Sequence, residues 1–272
     1  MKYIVIGDVH GCIDELKTLL AKQNFHCNSK GLIELNSSNQ HKAIILLGDF
    51  VDKANEDKLK ETIEFIHKNY HHLNQKQKHL YLILGNHEKM VYRHITKDPS
   101  LKITKKSIEN KEKYYNTVEL LEKDETLKKL FMELYHFCKP WFYYKYSSNF
   151  SVTLTHAPCP EKYLRKEDEE SKGKMVKCIS RSKNPEIALD DLIPYTHKEA
   201  KDNQHYHIFG HLSQSNIRQY KNKICIDTSA IYGGKLSCAI IKKDSLSFDS
   251  VPFENKQKSV HQNYNKLFNF SI

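Results

Sequence analysis

The chain has 272 residues, and its 43 lysines and arginines outnumber 33 aspartates and glutamates, which gives a formal net charge of +10. Mean hydropathy is −0.67, yet 39% of the residues are hydrophobic, and apolar runs such as residues 43–47 exclude a disordered polycation. These runs are far shorter than the ~20 residues that cross a bilayer, so we expect no membrane insertion and a cytoplasmic protein.

The N-terminal third alternates strand and helix signals. Apolar runs at residues 3–6, 43–47 and 80–84 predict buried strands. Between them, apolar residues at helical spacing predict amphipathic helices near 13–20 and 59–70. This order predicts βαβ units and a sheet with parallel strands.

The rest of the chain adds helices and then more strands. A lysine-rich stretch at 97–113 indicates a solvated surface segment, and apolar residues at 127–134 predict a helix that ends before Pro140. Further strands are predicted at residues 141–146, 151–155, 206–209, 224–226 and 236–241. Because no linker or composition shift divides the chain, we expect one domain over 1–250, with a helical insertion around 89–140 and a C-terminal tail at 251–272.

Side chains of metal-ligand type follow the ends of five predicted strands. In four apolar runs a glycine precedes the ligand-type residue, which is Asp8, Asp49, Asn86 or His211. The fifth run leads directly to His156 without a glycine. Glycine permits the sharp turn, and the carboxyl ends of strands line the crevices where open α/β sheets bind ligands. One Gly-Asp pair is more often an ordinary polar turn, but five matching strand ends favour a shared site.

His10 extends this set because it lies two residues after Asp8 and projects to the same side of an extended segment. Together the residues offer carboxylate, amide and imidazole donors. Such mixed nitrogen and oxygen donors suit two divalent cations from among manganese, iron, zinc and nickel. Manganese is our first choice, with iron, zinc or nickel as alternatives. Motifs for phosphate-binding loops, serine nucleophiles and dinucleotides are missing, so kinase, serine hydrolase and dinucleotide oxidoreductase functions have no support.

Three motifs resemble one enzyme family. The segments 7–11 (GDVHG), 48–53 (GDFVDK) and 85–88 (GNHE) are similar to the G-D-x-H-G, G-D-x-V-D-R and G-N-H-E signatures of calcineurin-like metallophosphoesterases of the phosphoprotein phosphatase type. His156 and His211 follow in the order of the family's last two ligand histidines, and residues 226–236 are similar to the closing strand of its small bacterial and phage members. The resemblance covers residues 3–240.

The resemblance implies an α/β fold, a four-layer α/β/β/α sandwich of two mixed sheets flanked by helices. It implies that Asp8 and His10 hold one metal ion, that Asn86, His156 and His211 hold the other, and that Asp49 bridges them. A hydroxide between the metals would attack the phosphorus directly.

The resemblance further implies that His87 is the general acid for the leaving oxygen and that Asp52 holds its tautomer. Glu88 is expected to brace the loop rather than to react. Asp227 and Tyr232 are expected to line the site behind the ligands.

Phosphate anchoring departs from the family pattern. Lys53 stands where the family has arginine, and Leu84 stands where arginine often precedes G-N-H-E. Arg181 lies where the third arginine is expected, so we assign phosphate binding to Arg181 and Lys53, with Arg93 or Arg165 as substitutes. Lysine offers a flexible point charge instead of a bidentate fork.

Three functions are weighed. The first is a binuclear-metal phosphatase acting on phosphoproteins at serine or threonine, with tyrosine as a further site. The second is a nucleotide or polynucleotide phosphatase or a dinucleoside polyphosphate hydrolase. The net positive charge slightly favours this function, and nucleic acid is then a candidate partner. The third is a non-catalytic scaffold, ranked last because every ligand and the acid histidine are present.

A separate group of histidines lies on the second predicted helix. His67 and His71 are four residues apart, a spacing that can bind metal on a helix. No carboxylate accompanies them at a strand end, so the sequence favours a solvated helix face.

Overall fold

Two five-stranded sheets form the centre of the computed structural model, which describes residues 1–101, 115–177 and 199–254. In chain order the described strands are β1 (Lys2–Ile6), β2 (Lys42–Leu46), β3 (Leu80–Leu82), β4 (Trp141–Lys145), β5 (Phe150–Thr155), β6 (Gln204–Phe209), β7 (Arg218–Tyr220), β8 (Lys223–Cys225), β9 (Lys235–Lys242) and β10 (Ser245–Pro252). The order is β10-β9-β1-β2-β3 in the first sheet and β4-β5-β6-β8-β7 in the second.

Both sheets are mixed. In the first, β1, β2 and β3 are parallel, and β9 runs antiparallel to β1 with Val5 opposite Ala239. In the second, β5, β6 and β8 are parallel, while β4 and β7 pair antiparallel at the edges. The parallel strands sit in the middle of each sheet, so their carboxyl ends are where side chains from several strands can meet.

Six helices are described: α1 (Ile13–Lys22), α2 (Glu56–Leu73), α3 (Asn86–Ile95), α4 (Asn116–Lys123), α5 (Glu125–Phe137) and α6 (Glu169–Val176). Two short 3-10 turns cover Glu161–Tyr163 and Ala230–Tyr232. Side-chain caps begin α2 and α5, because Asn55 accepts a hydrogen bond from Lys58 N and Asp124 accepts one from Leu127 N.

The two sheets pack face to face around an apolar core. Val5 and Ile45 of the first sheet and Leu154 and Ile208 of the second are buried in one cluster between them. The alternate residues of β1, Ile4 and Ile6, point to the opposite face of the first sheet, where they pack against helices. Residues from α1, α2, α4 and α5 complete that second cluster.

The predicted α/β architecture of two mixed sheets flanked by helices is confirmed. Two strands were not predicted from the sequence. β7 is a short polar edge strand, and β10 is an edge strand in which Val251 is the one buried side chain. Both are held by backbone pairing with a neighbouring strand, which periodicity does not reveal.

The ends of the predicted segments differ in detail. β10 continues through Pro252, so the first two residues of the predicted tail lie in the first sheet. Residues 255–272 lie outside the described residues, as does Arg181. The predicted insertion contains α4 and α5, whereas α3 begins earlier, at Asn86. None of the described helices is both long and apolar enough to cross a membrane.

Candidate metal centre

The strand ends of both sheets deliver polar side chains to one place. Asp8 follows β1, and Asp49 follows β2 after a two-residue turn, while Asn86 begins α3 just beyond β3. From the second sheet, His156 follows β5 and His211 follows β6. The structure therefore brings together residues that lie as much as 203 positions apart, since His211 N donates to Asp8.

Asp49 is the residue common to two compact groups of donor atoms. The first group is His10, Asp49 and His87, and the second is Asp49, His156 and His211; within each, the ligand atoms lie within 4.8 Å of one another. Asp49 Oδ2 lies 3.6 Å from His10 Nε2, and Asp49 Oδ1 lies 3.3 Å from His156 Nε2. Each carboxylate oxygen thus faces a different group, the arrangement that a bridging ligand requires.

Asn86 lies with the second group. Its Oδ1 atom is 3.0 Å from His156 Nε2, and the rings of His156 and His211 have centroids 5.1 Å apart. Amide oxygen, carboxylate oxygen and imidazole nitrogen converge here, which is the mixed donor chemistry of first-row divalent cations.

Two of the imidazoles are oriented by the backbone. His10 Nδ1 donates to the Val51 carbonyl at 2.8 Å, and His156 Nδ1 donates to the Leu47 carbonyl at 2.7 Å. In both rings Nε2 is therefore the atom that faces Asp49. Metal-binding histidines are usually held in this way, with the other ring nitrogen donating to a carbonyl or carboxylate. The donors present fit a pair of divalent metal ions.

The electrostatics of the pocket favour positive charge at its centre. Although burial by itself opposes both shifts, the histidines around Asp49 hold its pKa well below the usual range, and Asp49 raises the pKa of His156 to about 10. Burial, with repulsion from Asp227, raises the pKa of Asp8 well above its usual range.

Asp8 and Asp227 lie at the second-sheet side of the pocket. The Asp8 carboxylate accepts hydrogen bonds from His211 N at 3.1 and 3.2 Å. Asp227 accepts from Ser229 N and Ser213 Oγ. Asp8 is 5% exposed and belongs to neither compact group, so the tightest groups in the structure differ from the ligand division that the sequence predicted.

His87 and Asp52 form a buried pair beside the first group. His87 Nδ1 lies 2.7 Å from Asp52 Oδ2, and the other Asp52 oxygen accepts from Thr117 N at 3.0 Å. Asp52 N in turn donates to Thr117 Oγ1 at 2.9 Å. Thr117 lies in the first turn of α4, within the predicted insertion, and nothing in its sequence context marks it as a partner of Asp52.

Lys53 points into the pocket. Its Nζ atom lies 2.7 Å from His10 Nε2 and 5.2 Å from the centre of the Tyr232 ring. Burial alone would lower the pKa of Lys53, but Tyr232, Asp49 and other nearby acidic groups raise it overall. The ammonium is therefore held charged beside the proposed ligands.

Glu88 braces the pocket from behind, as expected from the sequence. Its fully buried carboxylate accepts hydrogen bonds from Asp49 N and Phe50 N, both at 2.8 Å, from Gly85 N at 3.1 Å and from Val51 N at 3.3 Å. Burial and repulsion from Asp49 raise the pKa of Glu88 to about 8, and the backbone donors oppose that rise. One side chain thus fixes both the second and the third motif loops.

The loops themselves adopt an uncommon backbone. Five of the predicted site residues have positive φ: His10, Asp49, Asp52, Lys53 and His211. Non-glycine residues enter the left-handed region rarely, and such conformations concentrate at functional sites. Gly48 has φ +88°, and a Cβ atom there would lie 2.5 Å from Gly85 N, so the close approach of two motif loops requires glycine.

The remaining basic candidates have partners elsewhere. Arg93 donates to Asp98 at 2.7 Å and to Ser100 at 2.8 Å, and the Arg165 guanidinium lies over the Tyr143 ring. Arg181 lies outside the described residues. Among the described residues assigned to phosphate binding, Lys53 is the cation that the structure places at the pocket.

Comparisons with known proteins agree on one family. A family model described as calcineurin-like phosphoesterase matches residues 1–226. The chain is similar to bis(5'-nucleosyl)-tetraphosphatase PrpE (asymmetrical) of Oceanobacillus iheyensis, with 28% identity over 87% of each chain. It is also similar to the protein of that name from Halalkalibacterium halodurans, with 26% identity over 93% of this chain and 94% of the relative.

A solved structure shares the fold. It is a crystal structure described as that of a candidate diadenosine tetraphosphatase, with a TM-score of 0.53 and 17% identity over 93% of this chain and 94% of the other.

Proposed function

The chain belongs to the calcineurin-like phosphoesterase family and is a hydrolase acting on phosphate esters, and from that premise we propose that its substrate is a bis(5'-nucleosyl) tetraphosphate, cleaved asymmetrically. Hydrolysis of the terminal P–O–P bond consumes one water and releases a nucleoside monophosphate and a nucleoside triphosphate. This is the second of the three functions weighed from the sequence.

The observation that carries this proposal is the agreement in name among relatives matched along most of their length. The relatives from Oceanobacillus iheyensis and Halalkalibacterium halodurans share this name. A third relative of the same name, from Bacillus mycoides, is 25% identical over 87% of this chain and 89% of its own length. This agreement favours the nucleotide substrate over the phosphoprotein that the sequence ranked first.

We propose that Asp8 and His10 hold one divalent ion, that Asn86, His156 and His211 hold another, and that Asp49 bridges them. When bound, the metal ions supply a water of lowered pKa and withdraw charge from the phosphoryl oxygens. The compact groups centred on Asp49 and the two carbonyl-anchored imidazoles support this assignment for Asp49, His10, His156 and His211, whereas Asp8 is assigned from its place in the first motif. Manganese remains the first choice of metal.

The side chains around the metals have separate tasks. His87 protonates the oxygen that leaves with the nucleoside triphosphate, and Asp52 positions the ring by its 2.7 Å contact with Nδ1. Lys53 binds a phosphate oxygen next to the reacting one, since its ammonium is partly buried, charged and directed at the same pocket. Arg181 is proposed as a further phosphate contact from its place in the motif order.

Two aromatic rings border the pocket in a way that suits a nucleotide. The Tyr115 ring lies 5.3 Å from the His87 ring, and the Tyr232 ring lies 5.2 Å from Lys53 Nζ, measured to centroids. Both side chains are partly buried. A nucleobase stacks on such rings whatever its identity, and a phosphopeptide has no comparable need for them.

A substrate panel tests the proposal. Purified protein with Mn²⁺ is assayed on diadenosine tetraphosphate, on phosphoserine, phosphothreonine and phosphotyrosine peptides, and on oligonucleotides with 2'- or 3'-phosphates. We expect the highest kcat/KM for diadenosine tetraphosphate and equal amounts of AMP and ATP by chromatography.

The products decide between the alternatives. Release of ADP alone would show symmetric cleavage and contradict the proposed position of attack. A higher kcat/KM for phosphopeptides than for diadenosine tetraphosphate would support the phosphoprotein phosphatase function instead. A higher kcat/KM for oligonucleotides would support the polynucleotide phosphatase function. No turnover of any substrate with Mn²⁺, Ni²⁺, Co²⁺, Zn²⁺ or Fe²⁺ would favour the scaffold.

A further inference from the structure

A second group of metal-ligating side chains lies on the outer helices. His67 and His71 of α2 meet Glu133 of α5, with His67 Nε2 2.8 Å and His71 Nε2 3.4 Å from Glu133 Oε2. The two imidazole rings have centroids 4.7 Å apart. The sequence favoured a solvated helix face because no carboxylate accompanies these histidines at a strand end. The pairing of α2 with α5 supplies one from 66 residues away.

The spacing of the three donor atoms suits a small divalent cation. A tetrahedral zinc ion with ligand distances near 2.0–2.1 Å holds neighbouring donor atoms about 3.3 Å apart. The two measured distances of 2.8 and 3.4 Å bracket that value, and all three donor atoms lie within 4.8 Å of one another. Residues four apart on a helix share one face, so α2 presents both imidazoles together.

The surroundings hold the three side chains in place while leaving room for ligand exchange. Tyr70 of α2 stacks on Phe137 of α5 with centroids 4.3 Å apart and planes 8° from parallel, and His71 packs edge-on against the same Phe137 ring. His67 is 16% exposed, whereas His71 and Glu133 are about half exposed, at 51% and 52%. A fourth position would therefore be open to water.

We propose that His67, His71 and Glu133 form a zinc-binding site that joins α2 to α5. The ion takes Nε2 of each histidine and a carboxylate oxygen of Glu133, and it replaces the proton that otherwise links His67 to Glu133. The hydrogen bond from His67 also holds the pKa of Glu133 below its usual range, so the carboxylate is ionised when the metal arrives. The donor set is the His₂Glu combination that zinc accepts.

This site is separate from the centre built on Asp49. The motif loop that contains Lys53 enters α2 at Glu56, and His67 lies eleven residues farther along that helix, a distance of about 16 Å at 1.5 Å per residue. No ligand is shared between the two places. The expected consequence of zinc binding is a tie between two helices of the outer layer rather than a change in the phosphate chemistry.

The stoichiometry of bound zinc tests the proposal. Metal-free protein is dialysed against Zn²⁺, and bound zinc per chain is measured by elemental analysis for wild type, for the double variant H67Q/H71Q and for a matched double variant of two exposed histidines, H26Q/H41Q. We expect H67Q/H71Q to bind one zinc ion fewer than the other two proteins. Equal stoichiometry in all three would overturn the site and leave an ordinary hydrogen bond between helices.

A second measurement uses protein whose phosphate-site metals are already in place. With Mn²⁺ in excess, added Zn²⁺ should raise the Tm of wild type and of E119Q, an exposed control on α4, by more than that of E133Q, in which zinc can act only at the Asp49 centre. Glu133 is half exposed, so E133Q is expected to fold. Zinc affinity of E133Q should fall, because one of the three proposed ligands is lost; an unchanged affinity would show that Glu133 is not a ligand.

Discussion

His87 Nδ1 lies 2.7 Å from Asp52 Oδ2, and Asp52 is fully buried with its second oxygen on Thr117 N. This contact leaves Nε2 of His87 directed toward the pocket, 3.9 Å from Asp49 Oδ2. The pair thus has the geometry of an acid whose orientation is set by a carboxylate that does not itself reach the substrate.

Substitution of His87 tests its role as the acid. We expect His87→Gln to lower kcat by ~10²–10⁴-fold, with a larger loss on phenyl phosphate than on p-nitrophenyl phosphate, because the more basic leaving oxygen depends more on protonation. Steady-state kinetics on both esters measure the difference, with H72Q as the control. Equal losses on the two esters would contradict an acid role and indicate a structural one.

Asp52 is predicted to act through His87. In Asp52→Asn the amide can still accept from Thr117 N, but its NH₂ group would face Nδ1 and favour the opposite tautomer of the ring. We expect kcat to fall by roughly 10²-fold, with KM little changed and the pH profile altered. If KM rises while kcat holds, Asp52 serves substrate binding and the positioning role fails.

Lys53 is predicted to anchor phosphate. Removing its charge in Lys53→Met should raise KM for a polyphosphate substrate by ~10-fold or more, a cost of about 1.4 kcal/mol in binding. Lys53→Arg should retain most of the affinity, because the fork of arginine also matches phosphate oxygens. Kinetics of both variants are compared with K60M, in which the lysine replaced is an exposed one on α2 paired with Asp124. Unchanged KM in K53M would rule out the contact.

Metal dependence is predicted to run through Asp49. Dialysis with EDTA should abolish phosphoesterase activity and Mn²⁺ should restore it, whereas Asp49→Asn should bind fewer than two metal ions and recover little activity, because Asp49 is common to both donor groups. Elemental analysis and activity are measured together, with the exposed D57N as control. Full metal content in D49N would contradict the bridging assignment.

Glu88 is predicted to stabilise the fold. In the wild type, backbone N–H groups donate to both carboxylate oxygens of Glu88. Glu88→Gln would replace one of these oxygens with an NH₂ group, which is a donor and cannot accept those hydrogen bonds. We expect the free energy of unfolding to fall by ~1–3 kcal/mol. Urea unfolding of E88Q and of the exposed control E64Q measures this, and equal midpoints for the two variants would show that Glu88 does not hold the loops together.

His207 is predicted to weaken the fold at acid pH. It is buried at 2% exposure, its Nε2 donates to Thr155 Oγ1 at 2.8 Å, and burial lowers its pKa well below the usual 6.5. Below pH 6.5 the unfolded chain therefore binds more protons than the folded chain. The contribution of neutral His207 to the free energy of unfolding is present above that pH and falls as pH drops, by up to roughly 1 kcal/mol per pH unit. Urea midpoints in EDTA between pH 7 and 5 should fall less for His207→Gln than for wild type; parallel falls would contradict this.

The sequence alone determined the fold class and the candidate ligands. Apolar strand runs that end in a ligand-type side chain are local patterns, and the carboxyl ends of parallel strands within one sheet lie at one edge. Because each strand end has this local pattern, Asp8, Asp49, Asn86, His156 and His211 could be named together, although the meeting of the two sheets' edges depends on how the sheets pack. The apolar periodicity of α2 and α5 could likewise be read from spacing. The edge strands β7 and β10 were not predicted, because backbone pairing with a neighbouring strand, rather than a side-chain pattern, holds them.

Only the tertiary structure decided which side chains meet across distant segments. The left-handed turns at Asp52 and Lys53 aim one side chain at His87 and the next at His10, which no local rule predicts. Thr117 reaches Asp52, and Glu133 reaches His67, because α4 and α5 pack against elements more than 60 residues earlier. Long-range packing sets these contacts, so composition and periodicity hold no record of them. The +10 charge likewise identified no partner. Among the described candidates for phosphate binding, Lys53 is the one whose partly buried ammonium lies at the pocket.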